Sequence, residues 1–355
     1  MAGPISSTGW AVPPPDSPLP RWLGWAGPLL AAPFGAGLAL RRLAYRCGLC
    51  RRRRAGLPVI SVGNLTVGGT GKTPAAAYIA RGLAARGRKP AVIQRGYRAA
   101  APGELNDEGR ELARDLPGLP VLASPDRLAG ARQAAGQGCD VAVLDDGFQH
   151  WRLARDLDIV LVDATAPFGG RHLLPWGRLR EKPAALSRAD VVILTRCDLA
   201  APGVVESLSA NLEKLSPRAA LCRACHVPIR LRRLFAQEPA KPANFLARRR
   251  ILVACGLAHP TAFFASLARL GPELAVAWSY PDHQRYRESD LKEWFEQGRR
   301  LGAAGVVVTE KDAVKLEALP PPPSDALPVW ALQAEFRVIR NEDQLWARIE
   351  QALGK

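Results

Sequence analysis

Acidic side chains are in short supply: 33 Asp and Glu stand against 49 Lys and Arg, which leaves a formal net charge of +16 over 355 residues. Such a surplus suits an anionic partner: nucleic acid, a phosphorylated ligand or an acidic membrane surface. It equally fits a composition rich in Ala, Arg, Gly and Pro throughout. Aromatics are also few, at 6%. Without stacking platforms or a recognition motif, the charge does not read as a nucleic-acid module. The seven cysteines, spread from Cys47 to Cys255, are an odd number. They form no disulfide framework and fit a reducing compartment. Cys47–Cys50 and Cys222–Cys225 have C-x-x-C spacing that could join in a four-sulfur zinc site, but the pairs are far apart and read as incidental thiols. No G-x-G-x-x-G follows the first strand, which excludes a dinucleotide-dependent dehydrogenase.

A long uninterrupted apolar run is missing as well. The nearest is "WLGWAGPLLAAPFGAGLAL" (22–40), uncharged but broken by Pro28 and Pro33. A spanning helix needs about 20 apolar residues. Arg41, Arg42, Arg46 and Arg51 to Arg54 follow directly, the wrong order for a cleaved signal peptide. Trp22, Trp25 and the arginines suit a membrane interface with anionic headgroups. The segment reads as a membrane anchor, inserted in one leaflet or spanning once. If it spans, the charge rule puts the remainder of the chain in the cytoplasm.

Short β-branched runs then alternate with Ala- and Leu-rich stretches. Strands are expected at 58–63, 90–94, 140–146, 158–163, 190–195, 250–255 and 305–310, and helices at 75–86, 126–137, 260–270 and 289–301. Strands apolar along their whole length, alternating with helices, predict an α/β fold: a mainly parallel sheet with helices on both faces, and a smaller α/β lobe after it. The expected divisions are a disordered extension (1–20), the membrane-associated helix with its basic collar (21–55), a P-loop NTPase-like core (56–228), the smaller lobe (229–340) and a terminal helix (341–355).

The stretch "VGNLTVGGTGKTP" (62–74) has the end of a phosphate-binding loop but not its start. The usual pattern is G-x-x-x-x-G-K-[ST], and Thr66 stands where its first glycine belongs. The setting is nevertheless that of a phosphate loop: a strand, a glycine-rich turn, then a helix. Thr66, Val67, Gly68, Gly69, Thr70 and Gly71 would supply a backbone cradle, with the helix N-terminus adding partial positive charge. Lys72 can reach the terminal phosphates, the Thr73 hydroxyl can ligate Mg²⁺, and Pro74 sits where no N–H is missed. The extra lysine of ParA-like loops would fall on Val67, which disfavours that subfamily.

The second anchor is "VLDDGFQH" (143–150). Two carboxylates close an apolar strand at the edge where α/β sheets bind ligands. Asp145 or Asp146 can hold Mg²⁺ directly or through water. Adjacent residues on a strand point to opposite faces, so the two share a function only if the strand ends between them. Gln149 and His150 lie within reach of the same edge.

With "RGY" (95–97), "DE" (107–108), "DR" (126–127), "LLPWGRLRE" (173–181), "PDH" (281–283) and "TEKDAVKL" (309–316), these motifs resemble the tetraacyldisaccharide 4′-kinase family, the lipid A kinases of Gram-negative bacteria. The resemblance runs from about residue 20 almost to the end. It implies transfer of the γ-phosphate of ATP to the 4′-hydroxyl of an acylated glucosamine disaccharide 1-phosphate. It further implies Asp107 as the base, supported by His283, and Asp145, Asp146 and Glu181 as metal-handling groups. Asn64, Arg95, Tyr97, Glu108, Arg127, Gln149, His150, Arg178 and Arg180 are then the candidates for substrate contacts, the arginines neutralising phosphate charge. ATP and Mg²⁺ are the implied cofactors. The implied partners are the lipid A precursor and the anionic inner membrane, with the catalytic domain on its cytoplasmic side, no nucleic acid, and no obligate protein partner. Three positions depart from the family's usual text: Arg98 after R-G-Y, Gly109 after D-E and Gln284 after P-D-H.

Two rival readings remain. "LTRCD" (194–198) resembles the guanine-reading [NT]-K-x-D of GTPases, with Arg196 in place of lysine, and nucleotide preference in turnover would discriminate. A basic ATP switch that binds nucleic acid or membrane would instead show hydrolysis stimulated by nucleic acid.

Overall fold

The computed structural model describes residues 27–96, 104–257, 260–281 and 284–354. These described residues divide into two compact units, one ending at Cys225 and resuming at Phe336, the other running between His226 and Glu335.

The first unit opens with α1 (Gly27–Arg46) and continues through β1 (Val59–Asn64), α2 (Lys72–Ala85), β2 (Pro90–Gln94), α3 (Asp107–Asp115), β3 (Val121–Ala123), α4 (Arg127–Gly136), β4 (Val141–Asp145), β5 (Leu157–Asp163), β6 (Val191–Thr195), α5 (Pro202–Leu215) and the start of β7 (Ala220–Arg233). Its strands lie in the order β7-β6-β5-β1-β4-β2-β3, every pair parallel. Every residue of β1, β2, β4 and β6 is buried, because both faces of the sheet carry helices. On one face Ile60, Val62 and Val143 pack with Ile79 and Leu83 of α2 and Leu112 of α3. On the other, Val59 and Leu144 pack with Leu128 and Ala131 of α4, while Val192 and Leu194 pack with Leu212 of α5.

The second unit contains β8 (Lys241–Pro242), β9 (Arg250–Cys255), α6 (Pro260–Ala268), β10 (Glu273–Ser279), α7 (Glu288–Leu301), β11 (Val306–Thr309), α8 (Glu310–Leu316) and most of β12 (Val329–Arg340). Its parallel order is β10-β9-β11-β12. The chain leaves the first unit along β7 and returns along β12. The last helix, α9 (Glu342–Leu353), belongs to the first unit rather than standing apart. Leu345, Trp346 and Ile349 enter the α2 core, and a Cβ on Gly82 of α2 would come within 2.0 Å of the Trp346 ring.

The apolar N-terminal segment is seen from Gly27, and residues 22–26 lie outside the described residues. No described helix is long and apolar enough to cross a membrane, so a spanning anchor has no counterpart among the described residues. Instead α1 has two faces. Gly35 meets Leu173, Arg42 bonds Glu181 and Tyr45 packs on Trp151. Leu29, Pro33, Ala36, Leu40 and Leu43, spaced three or four apart on the other side, are all exposed, Leu29 and Leu40 each at 69%.

Candidate active site

The loop after β1 achieves its turn without a glycine at 66. Arg180 N–H donates to the Leu65 carbonyl at 2.7 Å, Val67 N–H to the Arg178 carbonyl at 2.8 Å, and Thr66 bridges Leu179 in antiparallel fashion. The chain therefore stays extended through Thr66, where a Cβ is no hindrance. The reversal comes two residues later, at Gly68 (φ 117°), and again at Gly71 (φ 86°), conformations that favour glycine. α2 starts at Lys72, so the first N–H groups of the helix face the loop's interior with no partner within the helix. The Lys72 ammonium and the Thr70 N–H both donate to the Gly68 carbonyl, at 3.4 and 3.1 Å.

β1 and β4 are neighbours, with Val62 in register with Asp145, so the two carboxylates arrive beside the loop. β4 ends at Asp145, and Asp146 turns into the left-handed region (φ 60°). The strand thus ends between them, and both side chains converge on the loop instead of diverging to opposite faces. Asp145 Oδ2 accepts from the Thr73 hydroxyl at 2.9 Å. Asp146 accepts from Arg180 Nη1 at 2.8 and 2.7 Å and lies 3.9 Å from Lys72 Nζ. Burial raises the Asp146 pKa, but Lys72, Arg180 and Arg127 together outweigh it and hold the carboxyl below its ordinary range. The turn is tight: a Cβ on Gly63 would lie 2.9 Å from the Phe148 nitrogen.

Around this centre, Arg127 is buried, donating to the Ser124 and Asp145 carbonyls at 3.2 and 3.5 Å. Burial lowers its pKa. Arg178, also lowered by burial, donates to the Val67 carbonyl at 3.2 Å. Gln149 donates to the Asn64 carbonyl at 2.9 Å and to Glu181 at 3.3 Å. Burial, followed by the charges of Arg127 and Arg155, lowers His150 to about 4. α3 begins at Asp107, and the Asn106 side chain caps it by accepting from Gly109 N–H at 3.0 Å.

The structure thus gathers Lys72, Thr73, Asp145, Asp146, Arg127, Gln149, Arg178, Arg180 and the loop Thr66–Gly71 at one sheet edge. Arg95 is exposed just past the end of β2. Two candidates are placed differently from expectation. Asn64 is wholly buried and donates to Thr70 Oγ1 at 2.8 Å and Thr66 Oγ1 at 3.4 Å. It shapes the loop from inside the core. Glu181, 3% exposed, directs its carboxylate to Arg188 (2.9 and 3.0 Å), Arg42 (3.3 Å) and Gln149, a set of cationic and amide donors. Tyr97 and His283 lie outside the described residues, as do the side chains of Asp107 and Glu108. Among the described residues the cysteines are free, and no cluster of three or more His, Cys, Asp or Glu could hold a metal alone. The sequence gives no signal for Arg188 and places Arg42 only in the basic collar, because their contacts with Glu181 cross 7 and 139 residues. It marks Thr195 and Arg196 only as a fragment of a guanine motif.

A family model described as tetraacyldisaccharide-1-P 4′-kinase matches residues 23–354. The tetraacyldisaccharide 4′-kinase of Anaeromyxobacter dehalogenans strain 2CP-C is 44% identical over 338 residues, covering 90% of this chain and 88% of that protein. The enzyme of the same name from Geobacter metallireducens is 42% identical over 306 residues, covering 81% and 87%. The crystal structure of LpxK from Aquifex aeolicus in complex with ATP aligns with a TM-score of 0.70 at 27% identity, covering 91% of this chain and 97% of that one.

Proposed function

The chain belongs to the tetraacyldisaccharide-1-P 4′-kinase family, and from that premise we infer how its residues divide the work of an ATP-dependent lipid kinase. The reaction moves the γ-phosphate of ATP to the 4′-hydroxyl of a tetraacyldisaccharide 1-phosphate. One observation carries the assignment of roles: Lys72, Thr73, Asp145, Asp146 and Arg180 meet where the β1 loop and the end of β4 adjoin.

The phosphates of ATP lie on the loop, against the N–H groups of Gly71, Lys72 and Thr73 and the positive end of α2. Lys72 leaves the Gly68 carbonyl for the terminal phosphates. Asp146, kept ionised, holds Lys72 and Arg180 on the side where charge builds up during transfer. The Thr73 hydroxyl and Asp145 are hard oxygen donors that fit Mg²⁺. A magnesium ion takes few protein ligands and keeps waters and phosphate oxygens, which agrees with two donors here and no larger acidic cluster among the described residues. When bound, the ion neutralises phosphate charge. Asp107, at the first turn of α3, takes the proton of the attacking hydroxyl.

A lipid with four acyl chains stays in its bilayer, each buried methylene contributing about 0.8 kcal/mol. The exposed stripe of α1 and the arginines that follow it suit docking on an anionic surface, and we place the enzyme as a peripheral protein on the cytoplasmic face of the inner membrane. The test of the whole reading is transfer of label from γ-labelled ATP with Mg²⁺ to acylated disaccharide 1-phosphate in detergent. Wild-type transfer with a loss of about 10³-fold or more in Asp107→Asn is expected. Equal transfer by both proteins would remove Asp107 as base, and no transfer by a folded, ATP-binding wild type would remove the lipid kinase.

A further inference from the structure

The phosphate loop is held from behind by residues that none of its motifs contain. β5 and β6 lie side by side with Asp163 in register with Thr195. Thr195, wholly buried, shares its one hydroxyl proton between the Thr70 carbonyl at 3.2 Å and the Val162 carbonyl of β5 at 3.3 Å, and so ties the loop to the sheet. Arg196 follows in a left-handed conformation (φ 55°) and donates Nη2 to the Gly69 carbonyl at 2.6 Å. Its Nη1 pairs with Asp163 Oδ2. The other Asp163 oxygen accepts from Thr165 N–H and Oγ1 at 2.9 and 2.7 Å, which fixes the carboxylate.

We propose that Asp163, Thr195 and Arg196 are positioning residues that clamp the phosphate loop in its nucleotide-binding conformation, and that the "TRCD" stretch serves this purpose rather than base reading. A trans peptide unit points its C=O and N–H in opposite directions. Drawing the Thr70 carbonyl back to Thr195 therefore turns the Gly71 N–H forward, toward the mouth of the α2 cradle. Gly68, Gly69 and Gly71 leave this stretch with more backbone freedom than any other residue type would. Without a restraint, that freedom would have to be lost each time a nucleotide binds. The left-handed backbone of Arg196, uncommon for a residue with a Cβ, is the local strain expected where a side chain must be aimed precisely at a functional loop. Asp163 neutralises the guanidinium and fixes its direction.

This inference rests on residues 66–73 holding the nucleotide phosphates, and the experiment separates the two. KM for ATP and KM for the lipid acceptor are measured in detergent with Mg²⁺, together with equilibrium binding of a fluorescent ATP analogue and thermal midpoints. Arg196→Ala should raise KM for ATP about tenfold or more, while KM for the lipid stays within about twofold. Asp163→Asn should act in the same direction, and the double variant should be little worse than Arg196→Ala, because the two side chains work as one unit. If Arg196→Ala folds poorly, Arg196→Lys and Thr195→Val carry the test with smaller, still ATP-selective effects. The clamp is overturned by an unchanged KM for ATP in a folded Arg196 variant. Equal rises in both KM values that merely follow a fall in thermal midpoint overturn it too. Lys72→Ala reports on the premise: unchanged analogue binding in that variant would remove the phosphate site and the clamp with it. Weakened binding in Lys72→Ala beside an unaffected Arg196→Ala would remove the clamp alone.

Discussion

Gly63 and Phe148 approach too closely for a side chain between them: a Cβ built on Gly63 would lie 2.6 Å from the Phe148 Cβ and 2.9 Å from its nitrogen. This contact sets the distance between the start of the phosphate loop and the turn after Asp145 and Asp146. Gly63→Ala should cost about 1–3 kcal/mol of stability through overpacking and lower kcat more than stability alone would, since it parts Thr73 from Asp145. Urea unfolding beside steady-state kinetics checks both.

Acid should weaken the fold in two separable windows. The His150 pKa is lowered from its ordinary 6.5 to about 4. Between those values the unfolded chain binds the extra proton and the folded one does not, so stability falls as pH drops from about 6.5 toward 4. His150→Gln should flatten that limb of a stability–pH curve. The Asp146 carboxyl is depressed instead, so its contribution is present above the ordinary carboxylate range and lost as pH falls below it. Asp146→Asn should flatten only that lower limb.

Glu181 is a buried carboxylate that depends on Arg188, whose guanidinium also stacks over the Phe148 and Trp151 rings at 4.4 and 4.5 Å. Arg188→Met should leave the charge underpaired and cost about 3–5 kcal/mol. Arg42→Ala removes a longer, more exposed contact and should cost at most about 1 kcal/mol. Chemical denaturation of the two variants should separate them clearly.

The docking of α9 on α2 offers a test remote from the chemistry. Gly82→Leu would drive a side chain into the Trp346 ring and should cost about 2 kcal/mol or more. KM for ATP should stay near the wild-type value, because the first turn of α2 is ten residues away.

Much of this was legible in the sequence for local reasons. The parallel sheet showed in runs such as "VVIL" (191–194), which are buried on both faces and so carry no polar residue until the closing Thr195. The loop showed in a glycine-rich turn between strand and helix. Asp145 and Asp146 showed as acids closing such a run. What stayed hidden depends on contacts between distant segments. Nothing near Asn64 says that its amide faces inward to Thr70. Nothing near Glu181 names Arg42, 139 residues earlier. β7 and β12 mix arginines into their apolar pattern, because their burial changes along their length. Arg196 was visible as a residue, but its target is a backbone carbonyl 127 residues away.

The pairing of Leu65–Val67 with Arg178–Arg180 has a last consequence. Two ladder bonds hold Thr66 extended, and the pivot has moved downstream to Gly68. Writing glycine back at 66 would therefore repair the motif on paper and harm the protein. It would add disorder to a segment that gains from being stiff, and loosen the strand that ties Arg180 to Asp146. The text of a binding loop and the mechanics of one are separate matters, and here a neighbouring segment supplies the mechanics.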